Sequence, residues 1–436
     1  MTRLRGRRDA AVLCLLAAAL VAGVVRLRAS AAPSTFVVSR PEEAAGGEPF
    51  FETRFVSLRA GTHSHAASLV ETGDGRLRAF WYVGSREGAP DVLVVTAVYD
   101  PATREWSAER PVADPRTTGR ALHRYVRKLG NPAAVRAADG TLWLFYVGVT
   151  VGGWGGASIN AVTSTDDGAT WSPARRLVGS GFLNLGTLVR GQPFLYADGT
   201  IGLPVYQALP RNVAELLRVD ATGAVVDRQR LAAGPDSPQP VVLVRSATEA
   251  LVLTRNAGRE KPERVRASET RDAGRTWTPR PRLPILNPDA SIAGLVRADG
   301  RVVVALNDVD TERDALSLVG SDDGGATWRR LHRLEDELAA RTLPVDDARY
   351  DRTVGELARA TDPRVSDARP WIESSRRFMC WEPRCHFEFS YPSILETRRG
   401  EFHLVYTWNR AFIKHVRFNR AWLDARAEEA GDAVVR

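Results

Sequence analysis

Six times along the chain a polar turn gives way to a short run dominated by apolar, β-branched and aromatic residues. The runs are Asp74-Gly75-RLRAFWYV, Asp139-Gly140-TLWLFYVG, Asp198-Gly199-TIGLPVYQ, Thr248-Glu249-ALVLTRN, Asp299-Gly300-RVVVALND and Arg399-Gly400-EFHLVYTW. A second β-rich stretch precedes each turn: AASLVET, AAVRA, PFLY, VVLVR, IAGLVRA and PSILET. Successive turns lie 65, 59, 50, 51 and 100 residues apart. That period suits a four-stranded propeller blade, with one large insertion before the last. The pattern predicts an all-β chain folded as a six-bladed β-propeller. Glu52–Leu58 (ETRFVSL) can supply the missing strand to a final blade built from 391–418, closing the ring.

A shorter repeat supports this reading. Ser164-Thr-Asp166-Asp-Gly168-Ala-Thr170-Trp171, Thr270-Arg-Asp272-Ala-Gly274-Arg-Thr276-Trp277 and Ser321-Asp-Asp323-Gly-Gly325-Ala-Thr327-Trp328 share the pattern S/T-x-D-x-G-x-T-W. An Asp can accept hydrogen bonds from backbone N–H groups in a tight turn, Gly supplies φ > 0, and Trp packs over the turn. The insertion, about 331–385, is charged and aperiodic. Within it Glu335–Arg341 and Thr353–Ala360 are expected as short helices, and the whole is expected to lie over one face of the ring.

The chain divides into a leader (1–32), a Pro/Ala/Gly/Glu-rich linker (33–50), the propeller (51–422) and a polar tail (423–436). Arg3, Arg5, Arg7 and Arg8 precede an apolar run, Ala10 to Val25, and Ala29-Ser30-Ala31 offers a cleavage site. This is the plan of a secretory signal peptide. Arg26 and Arg28, between run and site, keep an uncleaved membrane anchor through 10–25 as the alternative. Either way the protein is expected to be exported, periplasmic or otherwise extracytoplasmic. Cys14 lies inside the apolar run, which argues against a lipoprotein anchor. Outside the cytoplasm, Cys380 and Cys385 can pair across their short loop. The net charge is +8, of which the leader supplies +5. The remaining +3 does not argue for nucleic acid. No cofactor is expected, and His386 beside the two Cys, or His63 beside His65, makes too small a ligand set for a metal.

His65, Asn131, Gln192, Gln239, Ser291 and Tyr391 precede their turns by similar counts, at the start of each inner strand. Inner strands line a propeller's channel, so these side chains are expected to converge at one mouth, a natural ligand site. Trp154, in a Gly-rich loop, can stack on a sugar or plug its loop.

The boxes and six repeats resemble the sialidase (neuraminidase) superfamily of Asp-box, or BNR-repeat, propellers over about residues 52–420. The stretches around Arg86-Glu-Gly-Ala-Pro-Asp91, Asn131-Pro132, Gln239-Pro240, Tyr391-Pro-Ser and Tyr406-Thr-Trp-Asn-Arg410 look most like its bacterial sialidase-like branch. The resemblance implies a glycan or polysaccharide substrate held by arginines, a Tyr nucleophile and an acid/base Asp. Residue by residue, it implies Tyr391 as nucleophile and Asp91 as acid/base. Arg255 and Arg313 would hold the substrate carboxylate, with Arg86, Asn131 and Arg410 as further contacts.

Two positions depart from the family pattern. The first arginine is replaced by His65, and the Glu that activates the Tyr is replaced by Gln239. An amide cannot take the phenol's proton, and an imidazole lacks the planar fork of Arg. The expected function is therefore a glycoside hydrolase acting on an acidic sugar, with an inverting route open if Tyr391 is not activated. The alternatives are a non-catalytic carbohydrate-binding or polysaccharide-assembly protein of the cell envelope, and a uronic-acid lyase.

Overall fold

The computed structural model describes residues 10–21, 34–39, 41, 47–180, 184–209, 211–258, 260–344, 347–381 and 383–431. Six antiparallel sheets of four or five strands follow one another along the chain. Their inner strands are His63–Glu71, Lys128–Arg136, Thr187–Val189, Val241–Val244, Ala293–Val296 and Phe389–Glu396. The second strands, such as Leu142–Val149 and Glu401–Trp408, are buried almost throughout. Strands covered on both faces by neighbouring sheets explain why these segments read as near-continuous apolar runs. Trp81, Trp143, Tyr146 and Tyr206 on or beside them are all buried between blades.

The ring closes as the sequence predicts. Phe51–Phe55 pairs antiparallel with Phe412–Asn419 as the outermost strand of the sixth blade. Its free edge is covered by the insertion. Phe55 N–H donates to Asp362 Oδ2 at 2.9 Å, Arg364 donates to Phe55 O, and Thr53 Oγ1 donates to Thr361 O. An uncovered edge strand is a template for unwanted pairing, and here side chains take its hydrogen-bonding groups.

The insertion differs in detail from expectation. Arg329–Asp336 is the outer strand of the fifth blade, so the helix expected at Glu335–Arg341 shrinks to a single 3-10 turn, Leu338–Ala340. The helix expected at Thr353–Ala360 lies within Ala348–Thr361, and Arg369–Met379 adds another. Trp371 stacks on Phe412 and packs against Phe55, so these helices share the core of the last blade rather than resting loosely over the ring. A disulfide joins Cys380 to Cys385. The expected polar tail begins instead as a helix, Arg420–Ala430. Asn419 caps it, Trp422 packs on Phe51, and Asp424 accepts from Arg297 at 2.7 Å.

The leader's basic start and its Ala29–Ala31 site lie outside the described residues, as do much of the linker and residues 432–436. Residues 10–21 are helical. No helix among the described residues is long and apolar enough to cross a membrane.

The three Asp boxes join third to fourth strands of the second, fourth and fifth blades. In each, the Asp accepts from the Thr backbone N–H and hydroxyl, and the Gly N–H donates to the leading Ser or Thr hydroxyl. The glycines have φ of +88°, +85° and +94°. Trp277 and Trp328 close two of the turns by donating from Nε1 to Gly274 O and Gly325 O. Asp323→Ala removes an acceptor of four such bonds. It is expected to lower stability by about 1–2 kcal/mol in urea unfolding; a change within error would show that the box merely decorates the turn.

Candidate functional site at the mouth of the ring

Each inner strand starts at the same end of the ring, and the turns of the Asp boxes lie at the other. At this starting end the inner strands carry a left-handed residue. Ala66, Asn131, Gln239, Asp289 and Tyr391 have φ of 57°, 42°, 55°, 50° and 54°. Ladder registers slip beside three of them, between His65 and Ser68, Gly130 and Ala133, and Ser390 and Ser393. Such bulges re-aim side chains, and non-Gly residues with φ > 0 concentrate at functional sites. Bulges account for three of these positions, and Gln239 and Asp289 take the same backbone conformation in the turns that lead into their strands.

Tyr391 stands at the centre. Its hydroxyl receives Nη1–H of Arg255 at 3.4 Å and Nε2–H of Gln239 at 3.5 Å. Arg255 Nη1 also donates to Gln239 Oε1 at 3.0 Å, and its Nε donates to Asp289 Oδ1 at 2.6 Å. The His65 ring lies 4.2 Å from the Tyr391 ring, centroid to centroid. The Arg313 guanidinium sits 5.7 Å from that ring, and Arg313 donates to Asp289 O at 2.9 Å. Burial works to raise the phenol's pKa, but the charges of Arg255 and Arg313 outweigh it and hold it below the ordinary tyrosine value.

Two buried charged groups beside Tyr391 were not found by reading the sequence. Glu388 is buried and accepts from Arg410 Nε at 2.6 Å, Arg313 Nη1 at 3.3 Å and Ser390 Oγ at 2.6 Å. Burial favours its neutral form, yet Arg313 and Arg410 hold the carboxyl well below the usual range. Arg190 lies beneath the mouth, 5.2 Å from the Tyr391 ring. It donates to Ala67 O and Pro392 O, tying inner strands across the axis, and burial lowers its pKa to about 10. The sequence signal for Glu388 was its place three residues before Tyr391; Arg190 stood in a run of loop-like residues with none.

The other expected residues divide. His65, Asn131, Gln239, Arg255, Arg410 and Tyr391 belong to the ends of inner and second strands at this mouth, and Arg313 to the loop leading into the fifth blade's third strand. Gln192 instead bonds deeper in the channel, to Leu69 O and Ala134 O. Ser291 is buried at the entry to the fifth blade's inner strand. Asp91 is exposed and folded back on its own loop, accepting from Ser85 N at 2.9 Å and Ser85 Oγ at 3.0 Å. Arg86 is exposed on the same loop. Glu87, between them, is the loop carboxylate whose charge acts on Tyr391, Tyr82 and Arg410. Trp154 packs over Gly130 and carries the Lys128 ammonium 4.2 Å above its ring. Among the described residues no group of His, Cys, Asp and Glu is arranged to hold a metal ion.

A family model for the BNR repeat-like domain matches residues 75–404. The chain belongs to that family. Solved structures agree on the fold. A Hadza microbial sialidase, Hz136, superposes with a TM-score of 0.59 at 15% identity, covering 83% of this chain and 66% of that one. The NanB sialidase of Streptococcus pneumoniae gives 0.57 at 10% identity, over 84% and 69%. A Dyadobacter fermentans protein of unknown function gives 0.57 at 13% identity, over 84% and 98%. This BNR-repeat chain thus spans just under two thirds of the Hadza sialidase's length. No curated protein matches it.

Burial sets the charge state of the family's variant position here. His65 is held well below its ordinary pKa by burial, and His63 is lowered to about 4 by burial and Arg410. The seat of the expected first arginine therefore holds a neutral ring. His403 and His415, joined Nδ1 to Nε2 at 2.9 Å between the sixth and first blades, are lowered by burial too. An imidazole whose folded pKa lies below its unfolded one leaves the unfolded chain binding more protons as pH drops below about 6.5. Stability is complete above that pH and falls toward the folded pKa. Glu337, raised to about 7 by burial and neighbouring carboxylates, opposes this but is part-exposed. Urea unfolding is expected to give at least about 2 kcal/mol less stability at pH 5 than at pH 7.5. Equal values would mean these rings are not held neutral.

Proposed function

We propose that the mouth binds a glycan carrying an acidic sugar, and that the protein is an exported glycoside hydrolase. The observation that carries this reading is the Tyr391 hydroxyl, held by Arg255 and Gln239 and flanked by Arg313. Two guanidiniums lower the phenol's pKa without a base, which offsets the loss of a carboxylate at Gln239. His65 Nδ1, buried beside the Tyr391 ring, has no hydrogen-bond partner among the described residues, and such an atom is satisfied by an ordered water or a polar group of a ligand.

In this reading Tyr391, ionised with its proton given up to solvent, attacks the anomeric carbon through Oη as the glycosidic C–O bond breaks. The leaving oxygen takes a proton from the loop 85–91. Glu87 fills that role better than Asp91, since Asp91 is engaged by Ser85 and the charge of Glu87 reaches Tyr391. Water, losing its proton to the same carboxylate, then attacks the anomeric carbon and releases Tyr391. Arg255 and Arg313 attract the sugar's carboxylate.

One observation favours a binding protein instead. Arg255 is already paired with Asp289, and Arg313 and Arg410 share Glu388. A substrate carboxylate must then compete with the protein's own. Incubation of the chain from Pro33 with a fluorogenic sialoside and a panel of acidic oligosaccharides, read by mass spectrometry, separates the readings. Released sugar supports the hydrolase, and an unsaturated product would replace it with a lyase. Saturable binding without turnover, lost in Arg255→Ala, would make the mouth a lectin-like site.

A further inference from the structure

The connection between the first and second blades, residues 114–127, is a basic surface that the mouth does not use. Arg116, Arg120, Arg124, His123 and Tyr125 line one open concavity of about 610 Å³. Arg116 and Arg120 are one helical turn apart on Pro115–Ala121 and so share a face. All four arginines of the segment, Arg116, Arg120, Arg124 and Arg127, are exposed, and none makes an ion pair among the described residues. Tyr125 is 67% exposed. Most other arginines of the ring are paired, so this cluster stands apart. Asp114 is the nearby carboxylate, and it is taken up as the helix cap by Arg116 N, Thr117 N and Thr117 Oγ1.

The surface is fixed in shape. Arg124 N–H donates to Gly119 O at 3.0 Å and His123 N–H to Arg120 O at 3.2 Å. A side chain at Gly119 would meet Arg124 O at 2.7 Å, so the close approach of loop to helix needs glycine there. Thr118 Oγ1 bonds the buried Tyr146 hydroxyl at 3.0 Å and anchors the helix to the second blade. A preformed cationic hollow with an aromatic at its rim loses little freedom on binding.

We propose that this hollow is a second binding site, for the outer part of an anionic polysaccharide whose end occupies the mouth. Its arginines would meet carboxylates along the chain, and the Tyr125 ring would lie against a sugar face. Continuity favours a polysaccharide over a membrane surface. The segment runs directly into the inner strand that carries Lys128 and Asn131, and Lys128 at the start of that strand lies over Trp154 and against Gly88 of the 85–91 loop. The site is also concave where a lipid headgroup plane is flat. The proposal rests on the glycan reading of the mouth.

The test measures binding of polygalacturonate, neutral dextran and anionic phospholipid vesicles to the chain from Pro33. It uses the triple variant Arg120→Ala/Arg124→Ala/Tyr125→Ala, the remote exposed pair Arg271→Ala/Arg275→Ala as a charge control, and Arg255→Ala for the mouth. Thermal unfolding checks that each variant is folded. The expected result is polygalacturonate affinity at least tenfold weaker in the triple variant and unchanged in the remote pair, with no binding of dextran. Loss of galacturonic acid monomer binding in Arg255→Ala alone would report on the mouth separately. The proposal is overturned if the triple variant binds the polymer like wild type, or if the remote pair weakens it equally. It is also overturned if wild type ignores the polymer, or if vesicles bind more tightly through the same three residues.

Discussion

Tyr391→Phe is expected to abolish turnover of an acidic glycoside while leaving the ring folded. The substitution removes one oxygen from a side chain that is otherwise packed against His65 and flanked by Arg190 and Arg313. Those ring contacts survive, so thermal unfolding should move little. If the phenol oxygen forms the glycosyl bond, kcat falls by at least about 10³-fold. Substrate binding persists, because Arg255 and Arg313 remain. The same hypothesis fixes a pH dependence. The wild-type rate should rise with pH as the phenol ionises, since the phenolate is the attacking form. Arg255→Ala removes the nearest cation, so Tyr391 should titrate at higher pH in that variant, visible as a shift in tyrosinate absorbance. A Tyr391→Phe enzyme that turns over like wild type would rule out the nucleophile and leave water attack on the sugar.

Glu388→Ala should be the most damaging single substitution for stability. Glu388 is buried, and both Arg313 and Arg410 depend on it for a counter-charge. Its carboxylate also holds Ser390 Oγ, one residue from the Tyr391 bulge. Breaking such a group leaves two guanidiniums uncompensated, and a loss of about 3–5 kcal/mol in urea unfolding is expected. The sign with pH is fixed by the depressed carboxyl pKa. Its contribution is complete above the unfolded value near 4.3 and fades as pH falls through the folded value. The gap between wild type and Glu388→Ala should therefore begin to narrow below about pH 4 and close only as pH falls to the depressed folded value. A variant as stable as wild type at pH 7.5 would mean that the arginines are sufficiently hydrated without it.

The arrangement of Glu388 also bears on what the mouth can hold. Arg313 and Arg410 face a carboxylate supplied by the protein three residues before Tyr391. Arg255 faces Asp289, whose side chain is 38% exposed and set on a left-handed backbone. An exposed partner can be displaced by a ligand at smaller cost than a buried one. Of the two pairs, Arg255–Asp289 is the one a substrate carboxylate can open.

The sequence alone determined the six repeats, the closing strand and the chemistry of the turns. These are local facts: a turn needs Gly at φ > 0, an Asp that accepts nearby N–H groups, and an apolar run on either side. It also placed most of the mouth, because residues at one count before each turn must meet at one end of a ring. Tyr391, Gln239 and His65 meet as that count requires, whereas Gln192, at the same count, bonds deeper in the channel, and Arg255 is marked by the family resemblance rather than by the count. Asp91, Glu388 and Arg190 show where local reasoning stops. Whether a loop carboxylate turns to the axis or back to Ser85 depends on two bonds within the loop. Which carboxylate neutralises Arg313 and Arg410 depends on a bridge between segments 75 residues apart, Arg313 and Glu388. Arg190 reaches across the channel to carbonyls of two other blades. Such pairings join residues far apart in sequence, and only closure of the ring, which sets their separation, decides them.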